Sequence, residues 1–217
     1  MTEDTEETIR TARVNQIHQA VGQFVVEFSR MVHTMESDLY FSVGGNQHLF
    51  FAITAELSAD PLARAWHSVM SESPDLTDED RKVLSNIHAE VVDLIQLRND
   101  WPHGTWFVGY GESDGDWSQA LLHRFKNSSK GLTTPSKLNS TPTAAYISDV
   151  ASHVKFLTQA VMDFGANVHL LRDKVTTTHP TDRIKISKIE GRRQFQMSSN
   201  SVDWKSSKMP LRSTSPG

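Results

Sequence analysis

Two long runs in which apolar residues recur at steps of three and four decide what this chain can fold into. From Val14 to about Met35, the residues Ile17, Val21, Phe24, Val25, Phe28, Met31, Val32 and Met35 fall along one side of a helix. Farther on, Tyr146, Val150, Val154, Leu157, Val161, Phe164, Val168 and Leu171 repeat the pattern. Neither stripe can stay wet at low cost, and each needs other helices to cover it, so the class expected is an all-α helical bundle.

The intervening sequence supplies the remaining helices. Val43-Gly44-Gly45-Asn46 reads as a break, and Leu49, Phe50, Ile53 and Leu57 then predict a short second helix. Asp60-Pro61 is read as the start of a third, with Asp60 capping the free N–H groups and Pro61 at the first helical position. Ser73-Pro74-Asp75 interrupts. Thr77 with Asp80 then forms a capping box in which Asp replaces the usual Glu, opening a fourth helix through Val83, Leu84, Ile87, Val91, Leu94 and Ile95. Pro102 limits how far that helix can run past Arg98. Thr105 to Tyr110 is aromatic and β-branched, and Gly111-Glu112-Ser113-Asp114-Gly115 has turn chemistry, which predicts a small hairpin over about 105–125. Residues 127–143 read as a loop. The expectation is one domain over 1–175, about five helices with the hairpin inserted, followed by a disordered, basic, Ser/Thr-rich tail over 176–217.

Composition narrows the chemistry. The 217 residues are 37% hydrophobic and 22% charged, ordinary for a globular domain, with no apolar run near the roughly 20 residues a membrane helix needs. The acidic start MTEDTEET has neither the basic flank nor the apolar stretch of a signal peptide, so a cytoplasmic address without membrane attachment is expected. With no cysteine, disulfides, thiolate nucleophiles and cysteine zinc sites are excluded. The ten histidines form no zinc spacing such as HExxH, and no metal or cofactor is expected. The net charge of -4 conceals an acidic first half and a basic end carrying Lys174, Arg183, Lys185, Lys188, Arg192, Arg193, Lys205, Lys208 and Arg212.

The most informative string is Leu97-Arg98-Asn99-Asp100-Trp101-Pro102-His103-Gly104-Thr105-Trp106. A permanently charged guanidinium can hold two phosphate oxygens, and an imidazole titrates near neutrality, so Arg98 and His103 suit cleavage of RNA without a metal. On an ideal helix the two would lie roughly 140° apart, so the pairing requires the helix to end between them, where Pro102 bends the chain. The string resembles the HEPN family, α-helical bundles in which an Arg is followed by a polar residue and, with four to six residues between, by a His near a helix end. Here Asn99 fills the polar slot and four residues separate Arg98 from His103.

That resemblance implies Arg98, Asn99 and His103 as catalytic residues of an endoribonuclease, with a 2′,3′-cyclic phosphate as product end. It implies a homodimer with a composite site, RNA as partner, and a toxin or defence setting in which an antitoxin partner fits. Asp93, Asp100 and Trp106 are the supporting candidates, with Glu90 a further acid that could orient Arg98. A different class stays open: a non-catalytic HEPN-like module for dimerisation or ligand sensing, in which Arg98 and His103 bind an anion or cap the helix. Arg81 and His88 also fit the spacing, but Lys82 occupies the polar slot, and the pair reads as solvated helix surface. Trp66, Trp101, Trp106 and Trp117 read as core or rim residues, and Gly109-Tyr110-Gly111 as part of a turn.

Overall fold

The structure is a computed structural model that describes residues 3–102, 105–108, 120–127, 133–137, 142–174, 179–189 and 192–197. Most of these are helical. The helices are α1 (Glu3–Ser42), α2 (Gln47–Thr54), α3 (Ala59–Ser71), α4 (Asp78–Asp100), α5 (Ala144–Arg172) and the single turn α6 (Pro180–Arg183). The backbone also forms strands β1 (Thr105–Val108), β2 (Ala120–Asn127) and β3 (Thr133–Lys137), antiparallel in the order β1-β2-β3, and an antiparallel pair β4 (Ile184–Ile189) and β5 (Arg192–Met197). The turn expected at Gly111–Gly115, which would close a hairpin over about 105–125, lies outside the described residues.

The chain divides into two compact units, one of Met1–Val25, Arg98–Ala151 and Ser207–Gly217, the other of Val26–Leu97 and Ser152–Ser206. In the second, parts of α1, α3, α4 and α5 pack together. Trp66 of α3 meets Phe164 of α5 edge to face at 6.3 Å, and both rings are fully buried. Trp66 also donates to Asp38 of α1, which closes the α1–α3 side. His67 of α3 packs on His88 of α4, and Glu90 of α4 pairs with His153 of α5 at 3.5 Å. Met31, Met35, Leu62, Met70, Leu84 and Leu157 fill the middle. In the first unit, Trp101 is wedged between Phe24 of α1 at 4.8 Å and Tyr146 of α5 at 6.0 Å, edge-on to both.

Several local readings of the sequence are sharpened or revised. α1 continues well beyond the stretch 14–35, and it stops in a Schellman turn: Gly45 N–H donates to the Tyr40 carbonyl and Gly44 N–H to that of Phe41. Both glycines hold positive φ, +70° and +69°, a conformation other residues adopt at a cost. Asn46 caps α2 by accepting from Leu49 N–H at 3.1 Å. α3 starts at Ala59 with Ser58 as its N-cap, so Asp60 is not the cap; it sits in the first turn and pairs with Arg64 one turn on. The Thr77–Asp80 capping box is reciprocal, Thr77 N–H donating to Asp80 Oδ2 at 3.0 Å and Asp80 N–H to Thr77 Oγ1 at 3.2 Å.

Two stretches read as unstructured carry regular backbone. β3 lies within the loop expected over 127–143; it is an edge strand, where Pro135 removes no interior ladder bond. Residues 180–197, assigned by sequence to the tail, form α6, β4 and β5. A period-two alternation through Ile184 and Ile186, and through Phe195 and Met197, suits paired strands. Residues 198–217 lie outside the described part.

Candidate functional site

α4 carries the candidate site on its last turn. Its apolar residues Val91, Leu94 and Ile95 are buried, and continuing that spacing leaves Arg98 and Asn99 half-buried at the edge of the packed face. The helix ends at Asp100, three residues before His103, so the break that the Arg–His pairing requires is present. Trp101 fixes the direction of departure: its ring is buried between Phe24 and Tyr146, which holds the backbone immediately ahead of the exposed Pro102.

Arg98 Nη1 donates to Asn99 Oδ1 at 3.3 Å, joining two of the three residues singled out in the sequence. The amide thus accepts one of the five N–H groups of the guanidinium. Arg98 also lies on the last turn of α4, where the helix dipole concentrates partial negative charge, a placement that favours a cation. His103 lies outside the described residues. Trp106 falls in β1 at the backbone position paired with Leu122.

The acidic candidates separate. Asp100 is buried on the last turn of α4, whereas Asp93 is exposed. Glu90, a candidate orienter of Arg98, reaches His153 of α5 instead. The rival Arg81 and His88 are not solvated surface: Arg81 donates to the backbone carbonyls of Ser71 and Ser73, and His88 is tilted against His67 with ring centroids 4.6 Å apart. The end of α3 covers both, which intrahelical spacing could not show. Burial pushes the imidazoles of His67 and His88 below their ordinary titration range, with the neighbouring Arg64 and the two rings' mutual repulsion adding to the effect on His88.

A second polar cluster was invisible to motif reading. Asp38 is buried on the apolar stripe of α1, three residues past Met35, and accepts from Trp66 Nε1 at 2.8 Å. Burial pushes its carboxyl up to about 7, against the Trp66 hydrogen bond, which works to lower it. Gly165 of α5 makes room: a Cβ there would stand 2.1 Å from Asp38 Oδ2. Among the described residues no three His, Asp or Glu side chains converge as metal ligands, and no helix is long and apolar enough to cross a membrane.

No protein family, curated protein or solved structure matches this chain.

Proposed function

We propose that the chain is an HEPN-type RNA-binding domain that cleaves RNA at Arg98, Asn99 and His103, with a hairpin inserted after the motif and a basic tail beyond the bundle. One observation carries the reading: Arg98 and Asn99 are hydrogen-bonded to each other on the last turn of a helix that stops between Arg98 and His103. In this scheme His103 takes the proton of a ribose 2′-OH and the 2′ oxygen attacks the adjacent phosphorus. The bond to the 5′ oxygen then breaks and that oxygen takes a proton from water, giving a 2′,3′-cyclic phosphate and a 5′-OH, while His103 returns its proton to solvent. Arg98 holds the phosphate oxygens whose charge grows in the transition state, and Asn99 keeps the guanidinium oriented. Asp100 and Trp106 support the site. A homodimer and a toxin or defence role neutralised by an antitoxin complete the reading on the strength of the motif's resemblance, and a cytoplasmic setting on the sequence's lack of a signal-like or membrane-length apolar run.

A cation on the last turn of α4, where the helix dipole is negative, also favours a second reading, in which the module senses an anionic ligand or only dimerises. The two readings separate on one experiment. Purified protein is incubated with mixed RNA in EDTA beside Arg98→Ala and His103→Ala, and the product ends are analysed. Nuclease function requires cleavage to 2′,3′-cyclic phosphate ends, reduced about 100-fold or more in each variant. RNA left intact by the wild-type protein rejects the nuclease and leaves the sensing module.

A further inference from the structure

Two imidazoles from different helices meet where α3 packs on α4, and the proposed RNA chemistry uses neither. His67 of α3 and His88 of α4 stand with ring centroids 4.6 Å apart and planes tilted by 39°. Both side chains are half-buried, and His88 Nε2 is buried with no hydrogen-bond partner. Buried polar atoms are nearly always satisfied, so one left over at a helix junction points to a water or an ion that the protein's own side chains do not supply.

The spacing of the rings decides between these. A ligating nitrogen lies about 1.1 Å from its ring centroid and roughly 2.1 Å from the metal, which puts a bound ion about 3.2 Å from each centroid. Two such arms meeting at a right angle hold the centroids roughly 4.5 Å apart, whereas at the tetrahedral angle they stand roughly 5.2 Å apart. The observed 4.6 Å matches the right angle. We propose that His67 and His88 form a two-imidazole chelate for a divalent late transition ion of square-planar or octahedral habit, Ni²⁺ or Cu²⁺, with water in the remaining positions. Such ions favour imidazole, and Cu²⁺ heads their order of affinity. Charge around the pair is balanced. Asp60, Arg64 and His67 follow one another at steps of four and three along one face of α3. Asp60 and Arg64 both act electrostatically on His88, and they are joined in an ion pair, so the carboxylate offsets the repulsion of a bound cation by the guanidinium.

Untagged full-length protein, stripped with EDTA and dialysed, is titrated by calorimetry at neutral pH with NiCl₂, CuCl₂ and ZnCl₂. His67→Phe, His88→Phe and Arg64→Ala are run beside it, with circular dichroism confirming that each folds. One ion per chain is expected. Either Phe variant should weaken binding at least about tenfold, because a chelate becomes a single ligand. Arg64→Ala, at an exposed position, should tighten binding about threefold by removing a nearby cation and releasing Asp60. Electron paramagnetic resonance of the Cu²⁺ complex should show coupling to two imidazole nitrogens, reduced to one in either Phe variant. A wild-type chain that binds none of these ions overturns the proposal. Binding left unchanged by both Phe variants overturns it too, since the ion would then sit on others of the ten histidines. Zinc held more tightly than nickel would rule out the right-angle chelate. RNA cleavage is assayed in EDTA, so that reading stands or falls independently of this site.

Discussion

Asp38 is the residue whose ionisation bears most directly on stability. Its carboxyl is raised to about 7 in the fold against 3.8 for the free group, so the unfolded chain gives up this proton at lower pH than the folded one. Stability is therefore lost as pH climbs from about 4 to about 7 and levels off above, by up to about 4 kcal/mol from this group. Asp38→Asn keeps an acceptor for Trp66 and cannot ionise. Its thermal midpoint should exceed that of the wild type at pH 8, and the decline between pH 5 and 7 should flatten, as scanning calorimetry at each pH would show. Gly165→Ala sets a methyl group against the same carboxyl, an overpacking that costs about 1–3 kcal/mol. In a double-mutant cycle by urea denaturation, that cost should largely vanish in an Asp38→Ala background; a cost that persists would place the strain elsewhere.

At the scale of elements, the N-terminus of α4 is the main junction. Asp80 is fully buried, yet it accepts from Thr77 N–H and Oγ1, from Thr181 N–H at 3.1 Å and Oγ1 at 3.0 Å, and lies 2.9 Å from His179 Nδ1. One carboxylate thus caps α4 and ties down α6, the start of a segment whose composition alone reads as tail. Burial works to raise the Asp80 carboxyl, but the hydrogen bonds from Thr77 and Thr181 outweigh it and hold it below its ordinary value. Its contribution is therefore present above about pH 4 and is lost as pH falls through the depressed value. Asp80→Ala should cost about 3–5 kcal/mol, and hydrogen exchange should accelerate in residues 180–189 as well as in the first turn of α4. Acceleration confined to α4 would mean that the tie to α6 contributes nothing. His67 and His88 act in the same acid direction: both are depressed chiefly by burial, so their contribution is full above about pH 6.5 and declines below it. His88→Phe should lessen the loss of stability between pH 6.5 and 5, measured by thermal unfolding.

For the molecule as a whole, packed helices carry the core, and the aromatic wedge at Trp101 holds the residue that follows α4. Trp101→Ala removes edge contacts to both Phe24 and Tyr146 and should cost about 3–5 kcal/mol in chemical denaturation. On the nuclease reading proposed above, RNA affinity, measured on the His103→Ala background so that substrate stays whole, should fall with rising salt. Adding Arg98→Ala should reduce the slope of log affinity against log salt by about 0.7, the loss of one phosphate contact on a single strand. An unchanged slope would place Arg98 off the nucleic acid path.

The sequence by itself determined the helical class, the breaks at Gly44–Gly45 and Pro102, the Thr77–Asp80 cap and the Arg98–Asn99 pair, because each rests on local periodicity, capping chemistry or backbone sterics. Only the tertiary structure decided that Glu90 faces His153, that the end of α3 covers Arg81 and His88, that Asp38 lies under Trp66 against Gly165, and that Leu49, Phe51 and Ile53 of α2 stay exposed. Those depend on which side chains meet across sequence separations of many residues. A carboxylate on an apolar stripe has no local mark that separates burial beneath a neighbouring helix from exposure at its edge, and the neighbour is known only once the helices have packed.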